Sequence, residues 1–300
     1  MNAGAPFLLE HCEGGARATD LLALRNEALD AGVATQARDW DALDALSLHV
    51  LARDASGRPI GAGRLTPDRR VGRLGVVPDW RGQGVGRAVL AALLDTARQR
   101  HWPVVIAHAL APTQALLAAA GFLPIGESGS DPGTLLHRRL DGPMAVENLA
   151  GAIDSATALI APLRRELLIY SRALDPGLLD ARPVQAALRR FATLRHAHQV
   201  RCLLQETGSP QLLESPLLRL AQRLPTVFQF RAVSDPVDTS YPSAYLVGDG
   251  GAYYFRPTGS RHDDGEVWLE GAARARQLRA HFEQIWERSR GWSEHRALGI

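Results

Sequence analysis

Short apolar segments separated by polar, Gly- and Pro-bearing turns run from residue 48 to residue 77 and then give way to a helical recurrence, which predicts three strands leading into one long helix. Leu48 to Ala52, the turn Ser56-Gly57-Arg58-Pro59 and Ile60 to Leu65 read as a β-hairpin, and Val71 to Val77 supplies the next strand. Pro78, Asp79 and Trp80 end it. Val85, Val89, Leu90, Leu93, Leu94 and Ala97 then recur at helical spacing, so a helix continues to about Arg100. Val104 to His108 reads as a buried strand, Thr113 to Gly121 as a short helix closed by glycine, and Phe122 to Gly126 as a further extended piece.

A second pattern starts after Leu140-Asp141-Gly142-Pro143, which places a domain boundary between residues 1–142 and 143–300. Asn148 to Leu163 carries Leu149, Ile153, Ala156, Leu159 and Ile160 on one helical face. The strand Glu166 to Ser171, the helix Val184 to Arg195, the strand Val200 to Leu204, the helix Pro216 to Arg223 and the strand Val227 to Ala232 follow in turn. Strands alternating with helices predict a parallel sheet, so both halves are expected to be α/β. Ala244 to Gly248 and Gly251 to Arg256 add two strands, and a helix from Gly271 to Arg288 closes the pattern.

Length and composition fit this division. A chain of 300 residues with 46% apolar and 22% charged residues has enough apolar material for two cores. Cys12 and Cys202 fall in different predicted domains and suggest no disulfide framework. The N-terminus lacks a basic region followed by an apolar run, and no stretch is apolar for about eighteen residues. A soluble, cytoplasmic protein without membrane contact is expected. The net charge is +2 and every cation is arginine, for the chain contains no lysine. That balance argues against an electrostatic case for nucleic acid, and the composition excludes lysine-dependent catalysis. Arg164-Arg165 and Arg189-Arg190 read as solvated helix faces.

The densest chemical signal is Arg81-Gly82-Gln83-Gly84-Val85-Gly86, three glycines in six residues between an apolar strand and an amphipathic helix. Glycines at alternate positions let successive N–H groups converge on one point, which the positive end of the following helix also faces. Such a turn suits a pyrophosphate. The spacing is not the G-x-G-x-x-G of a dinucleotide fold, and a Walker motif needs the lysine this chain lacks.

The pattern Val76-x-Pro78-x-x-Arg81-Gly82-x-Gly84-x-Gly86 resembles the signature of the GNAT superfamily of acyl-CoA N-acyltransferases. The β-meander before it and the helix ending in Gly121-Phe122 are similar to that family, as are Leu24-Arg25-Asn26-Glu27 and the acidic run Asp39 to Asp44. The likeness covers about residues 8 to 141. It implies acetyl-CoA as acyl donor, no metal, and transfer of an acetyl group to an amine of a protein or small molecule. The implied coenzyme site is Leu74, Gly75, Val76 and Val77 along the strand, with Arg81, Gly82, Gln83, Gly84, Val85, Gly86 and Arg87 at the turn. Family members commonly place a tyrosine in the second motif to protonate the leaving thiolate, and here Leu116-Leu117 stands there instead. Leu110 replaces a polar residue that often touches the coenzyme, with Gln114 one turn along as a substitute. Remaining candidates are His108 and His137 for catalysis, and Asp39, Asp41 and Asp44 for the amine. A solvated acidic loop and locally bonded histidines are the competing reading.

The C-terminal half more weakly resembles one lobe of the phospholipase D-like fold, through the run Ala244 to Gly251, the return strand ending at Pro257-Thr258-Gly259-Ser260 and the closing helix with Phe282 and Trp286. The His-x-Lys pair of active members would fall at Pro242 and Ala244, so this half is expected to be inactive and to serve binding or homodimerisation. Asp249 then reads as a turn residue. His196-Ala197-His198 lacks complementary ligands for a metal, Arg261 to Asp264 reads as a polar loop, and about half of Tyr241, Tyr245, Tyr253, Tyr254 and Phe255 read as core. A non-catalytic coenzyme A-binding or regulatory protein, its C-terminal half binding a partner or nucleic acid, is the alternative to an active transferase.

Overall fold

The computed structural model describes residues 7–28, 39–125, 133–196 and 198–292. Gly126, the expected end of the Phe122 strand, and Ala197 of the His-Ala-His run lie outside them. The chain divides into two compact units, Met1–Asp141 and Gly142–Ile300.

The first unit runs β1 (Phe7–Glu13), α1 (Ala18–Ala28), a 3-10 turn (Asp44–Leu46), β2 (Leu48–Asp54), β3 (Pro59–Leu65), β4 (Arg70–Val76), a second 3-10 turn (Pro78–Trp80), α2 (Val85–Gln99), β5 (Val104–Ala109), α3 (Ala111–Ala119), β6 (Leu123–Pro124) and β7 (Thr134–Arg139). Its sheet has the order β1-β2-β3-β4-β5-β7-β6. Strands β1 to β4 form an antiparallel meander, whereas β4 and β5 are parallel and pair only at Arg70 with Ile106 and Val71 with Ala107. Beyond those two pairs the strands part, and among the described residues no strand pairs with β4 from Gly72 to Val76 on that side.

The helices lie on opposite faces of this sheet. A Cβ at Gly61 would press on Val85, and one at Gly63 on Val89 and Leu93, so the missing side chains let α2 sit close on one face of β3. Gly75 pairs with Ala62, which alternates with those glycines, and a Cβ at Gly75 would meet Ala28 and Leu24 of α1. Helix α2 buries Val85, Val89, Leu90, Leu93, Leu94 and Ala97, the set its periodicity predicts.

The second unit continues with β8 (Met144–Val146), α4 (Leu149–Ile160), β9 (Glu166–Ser171), α5 (Arg182–Ala192), β10 (Gln199–Leu204), α6 (Pro210–Leu213), α7 (Pro216–Arg223), β11 (Phe228–Ala232), α8 (Pro236–Thr239), β12 (Ala244–Gly248), β13 (Tyr253–Arg256), β14 (Gly265–Trp268), α9 (Ala272–Arg288) and β15 (Arg290–Gly291). The sheet order is β15-β11-β10-β9-β12-β13-β14-β8. Strands β9, β10 and β11 are parallel as the alternation predicts, but β12, β13, β14 and β8 pair antiparallel, so the sheet is mixed. The short turn between β12 and β13 cannot carry the crossover that a parallel pair needs. Tyr245, Tyr253 and Tyr254 are buried, and Tyr241 and Phe255 pack against the core beneath α9, so these aromatics serve packing. Asp249 accepts hydrogen bonds from the amides of Arg164 and Arg165 (3.2 and 2.5 Å), which ties the β12 turn to the entry of β9.

No helix among the described residues is long and apolar enough to cross a membrane. Cys12 and Cys202 are buried free thiols, and burial pushes both up from the ordinary thiol range.

Candidate functional site

The parting of β4 from β5 opens a cavity of about 860 Å³ in the first unit. Residues 71–76 of β4, the turn 80–87, His108 of β5 and the start of α3 line it, together with Leu24, Arg25 and Ala28 of α1. Since α1 and α2 lie on opposite faces, the cavity passes through the sheet from one face to the other.

At the α2 end, Gly82 and Gly84 adopt left-handed conformations (φ 77° and 87°), and a Cβ on either would have no neighbour within 4 Å. The helical ladder begins with Ala88 N–H donating to Gly84 C=O (3.0 Å), leaving the amides of Val85, Gly86 and Arg87 without helical acceptors at the positive end of the helix. Arg81 braces the turn, its Nε donating to Val76 C=O (3.2 Å) and a terminal nitrogen to Ala28 C=O (2.8 Å). Gln83 donates to Asp79 C=O (2.8 Å) across the same turn. The concave, amide-lined shape is of the kind that receives a phosphate group.

Most of the residues expected from sequence come together here: Leu74, Gly75, Val76 and every position from Arg81 to Arg87 line the cavity. Val77 does not; it is fully buried, its N–H bonded to Ile60 C=O and its C=O to the Trp80 amide (both 3.0 Å). Gln114 points to solvent outside the lining, where Leu110, Leu116 and Leu117 form an apolar wall instead. His108 lies on the wall opposite β4. His137 is not among the lining residues; it sits half-buried on β7, across from Ile106 and Leu123. A Cβ at Gly133 would overlap the His108 ring, so Gly133→Ala is expected to displace that imidazole. An imidazole NMR shift that stays put in this variant would contradict the close approach.

The acidic run turns away from the cavity. Asp44 is 0% exposed and receives two hydrogen bonds from Arg25 (2.9 and 2.6 Å), one from Arg64 (2.8 Å) and one from the Asp41 amide (3.0 Å). Asp41 in turn accepts from Arg64 (2.7 Å) and Arg73 (2.8 Å). Burial pushes the Asp44 carboxyl up, but the Arg25, Asp41-amide and Arg64 hydrogen bonds outweigh it and hold the group well below the usual carboxylate range. Asp39 contributes its backbone carbonyl, at 3.3 Å from Arg25. His49 bonds Asp44 C=O through Nε2 (2.9 Å), and burial pushes its imidazole toward the neutral form. None of the three aspartates lines the cavity; Arg25 and Arg73, which sequence reading did not select, do. The signal for Arg73 is conformational: its φ is 51°, at a bulge where β4 slips against β3 between Ala62 and Arg64.

In the second unit, His196 and His198 bond backbone carbonyls (2.7 and 2.5 Å), and among the described residues no group of three His, Cys, Asp or Glu is placed to hold a metal.

Residues 19–122 match the model of the acetyltransferase (GNAT) family, so the first unit carries a GNAT acyltransferase domain, and that family supports a general acyltransferase function. Residues 148–298, half of the chain, match the family described as a domain of unknown function, DUF7931, and the chain belongs to that family. Among solved structures, the first unit is similar to an acyl-CoA N-acyltransferase from Pseudomonas aeruginosa (25% identity, TM-score 0.36, covering 44% of this chain and 99% of that one). It is also similar to Escherichia coli ElaA (23%, TM-score 0.37, 44% and 99%) and to the E. coli GNAT-family N-acetyltransferase YhbS crystallised with CoA (19%, TM-score 0.38, 46% and 84%). No curated protein matches the chain. The C-terminal match is to DUF7931 alone, without support for a phospholipase D-like domain.

Proposed function

We propose that the first unit transfers an acetyl group from acetyl-CoA to an amine, with His108 as its acid–base group. The observation that carries this reading is the cavity through the sheet, with an amide-lined turn at one end and, along its side, the stretch of β4 where its ladder with β5 has ended. The thioester supplies an activated acyl carbon whose leaving group is a thiolate. The amides from Gly82 to Arg87 hold the pyrophosphate, and the edge of β4 from Gly72 to Val76 hydrogen-bonds the pantetheine arm as an added strand would. Leu110, Leu116 and Leu117 exclude water from the arm. His108 takes the proton from the attacking amine and returns one to the departing sulfur, the task that the leucine at 117 cannot perform.

His108→Ala is expected to lower kcat by about 10²-fold or more while coenzyme binding persists. The assay is free-thiol release from acetyl-CoA with a panel of amines. Coenzyme binding without acceptor-dependent thiol release would leave the non-catalytic reading, which the apolar Leu117 wall favours. Residues 143–300 remain a phospholipase D-like proposal supported by element order alone. With Pro242 and Ala244 where histidine and lysine would stand, that unit acts as a binding or dimerisation module. The two buried free thiols support a cytoplasmic setting.

A further inference from the structure

We propose that His262 is a pH-operated latch on the loop of residues 257–264 in the second unit: the neutral imidazole holds the loop to buried Arg256, and protonation of the ring releases it. The contact that carries this is a hydrogen bond from Arg256 Nη1 to His262 Nδ1 at 3.2 Å. A guanidinium has only donors and keeps its charge at any pH the fold survives. The nitrogen facing it must therefore offer a lone pair, so the ring is neutral and carries its proton on Nε2.

Arg256 cannot follow the ring. It is 2% exposed at the end of β13, where its Nη2 pairs with Asp175 (2.5 Å) and its Nη1 also donates to Gly259 C=O (2.7 Å). Asp175 is fixed in turn. Its other oxygen accepts from Ser171 Oγ (2.9 Å), and Leu174 and Asp175 both hold left-handed backbones (φ 59° and 41°), a strained pairing that persists only where its surroundings hold it. His262, by contrast, is half-buried on a loop whose Arg261, Asp263 and Asp264 are exposed. A proton on Nδ1 would set two cationic donors against each other at this distance, and the side free to move is the loop.

The charges around the ring agree with this. Burial is the largest influence and Arg256 the next, both favouring the neutral form; Asp175 and Asp263 oppose them, and Asp263 is itself paired with Arg261 (2.6 Å). The imidazole is thereby held below its ordinary value of about 6.5. Because the folded value is the depressed one, the latch is closed above about pH 6.5 and is lost as pH falls through the folded value. Opening uncovers the Arg256–Asp175 pair at the carboxyl end of β9 and leaves the Gly259 carbonyl as the loop's remaining hold on the guanidinium.

The test follows the full chain by NMR from about pH 7.5 to about pH 5, reading the His262 imidazole and the exchange protection of two loop amides. These are Gly259 and Arg261, which bond Pro242 C=O (2.7 Å) and Thr258 C=O (3.0 Å) in the closed loop. Their protection is expected to fall by about tenfold or more as His262 titrates, with that titration below about 6.5. His262→Asn sets an oxygen where Nδ1 stood and cannot be protonated in this range, so its loop should stay protected throughout. His262→Ala, which removes the acceptor, should be open even at neutral pH. An imidazole that titrates at or above its ordinary value, or loop protection that holds through its titration, would overturn the proposal. So would a wild-type pH response in His262→Asn, or wild-type protection at neutral pH in His262→Ala.

Discussion

Asp44→Asn is expected to destabilise the first unit by about 3–5 kcal/mol, the usual cost of removing one partner from a buried ion pair. Asparagine keeps the shape of the side chain but leaves Arg25 and Arg64, both largely buried, without the carboxylate that neutralises them. The same network sets an acid limit. Because the folded-state pKa of Asp44 is depressed, its contribution is present above the unfolded value of about 3.9 and is lost as pH falls through the folded value. Below about pH 4 the first unit should therefore weaken, and Asp44→Asn should flatten that part of its stability curve. Urea unfolding at neutral and acidic pH measures both effects. A loss below about 1 kcal/mol would mean that the buried charges are tolerated without their partner.

Gly84→Val is expected to weaken coenzyme A binding by about 10- to 100-fold, measured by calorimetry, because a β-branched residue at φ 87° carries about 1–2 kcal/mol or more of backbone strain. Nothing within 4 Å crowds the new Cβ, so the variant should relax by rotating the turn rather than by unfolding it. Rotation turns the convergent amides of the helix start away from their common point. Unchanged affinity would remove the turn from the coenzyme site.

The elements around that turn are legible in sequence because each rests on a local signal. Helix α2 has a regular apolar stripe, and the β2–β3 hairpin has its Gly-Arg-Pro turn. The arginine–aspartate network beside the cavity is not legible, because its parts come from separate segments. An acidic run such as Asp39 to Asp44 reads as a solvated loop until Arg25, Arg64 and Arg73, from 19 to 32 positions away, are folded onto it. Neither is the bulge at Arg73, since no glycine or asparagine advertises the left-handed backbone there. In the second unit, β14 follows directly on the polar loop Arg261 to Asp264 and has no apolar run of its own to mark it, and the antiparallel half of the sheet is set by the short turn between β12 and β13. The missing tyrosine is plain in the sequence, whereas the apolar wall that replaces it takes shape only when α3 packs beside β5.

The two-pair contact between β4 and β5 has a mechanical meaning. On one side stands a four-stranded meander, on the other a three-stranded patch, and between them the ladder has only the rungs at Arg70 and Val71. A ligand bonded along Gly72 to Val76 would act as an eighth, removable strand, joining two half-sheets that otherwise share a single seam.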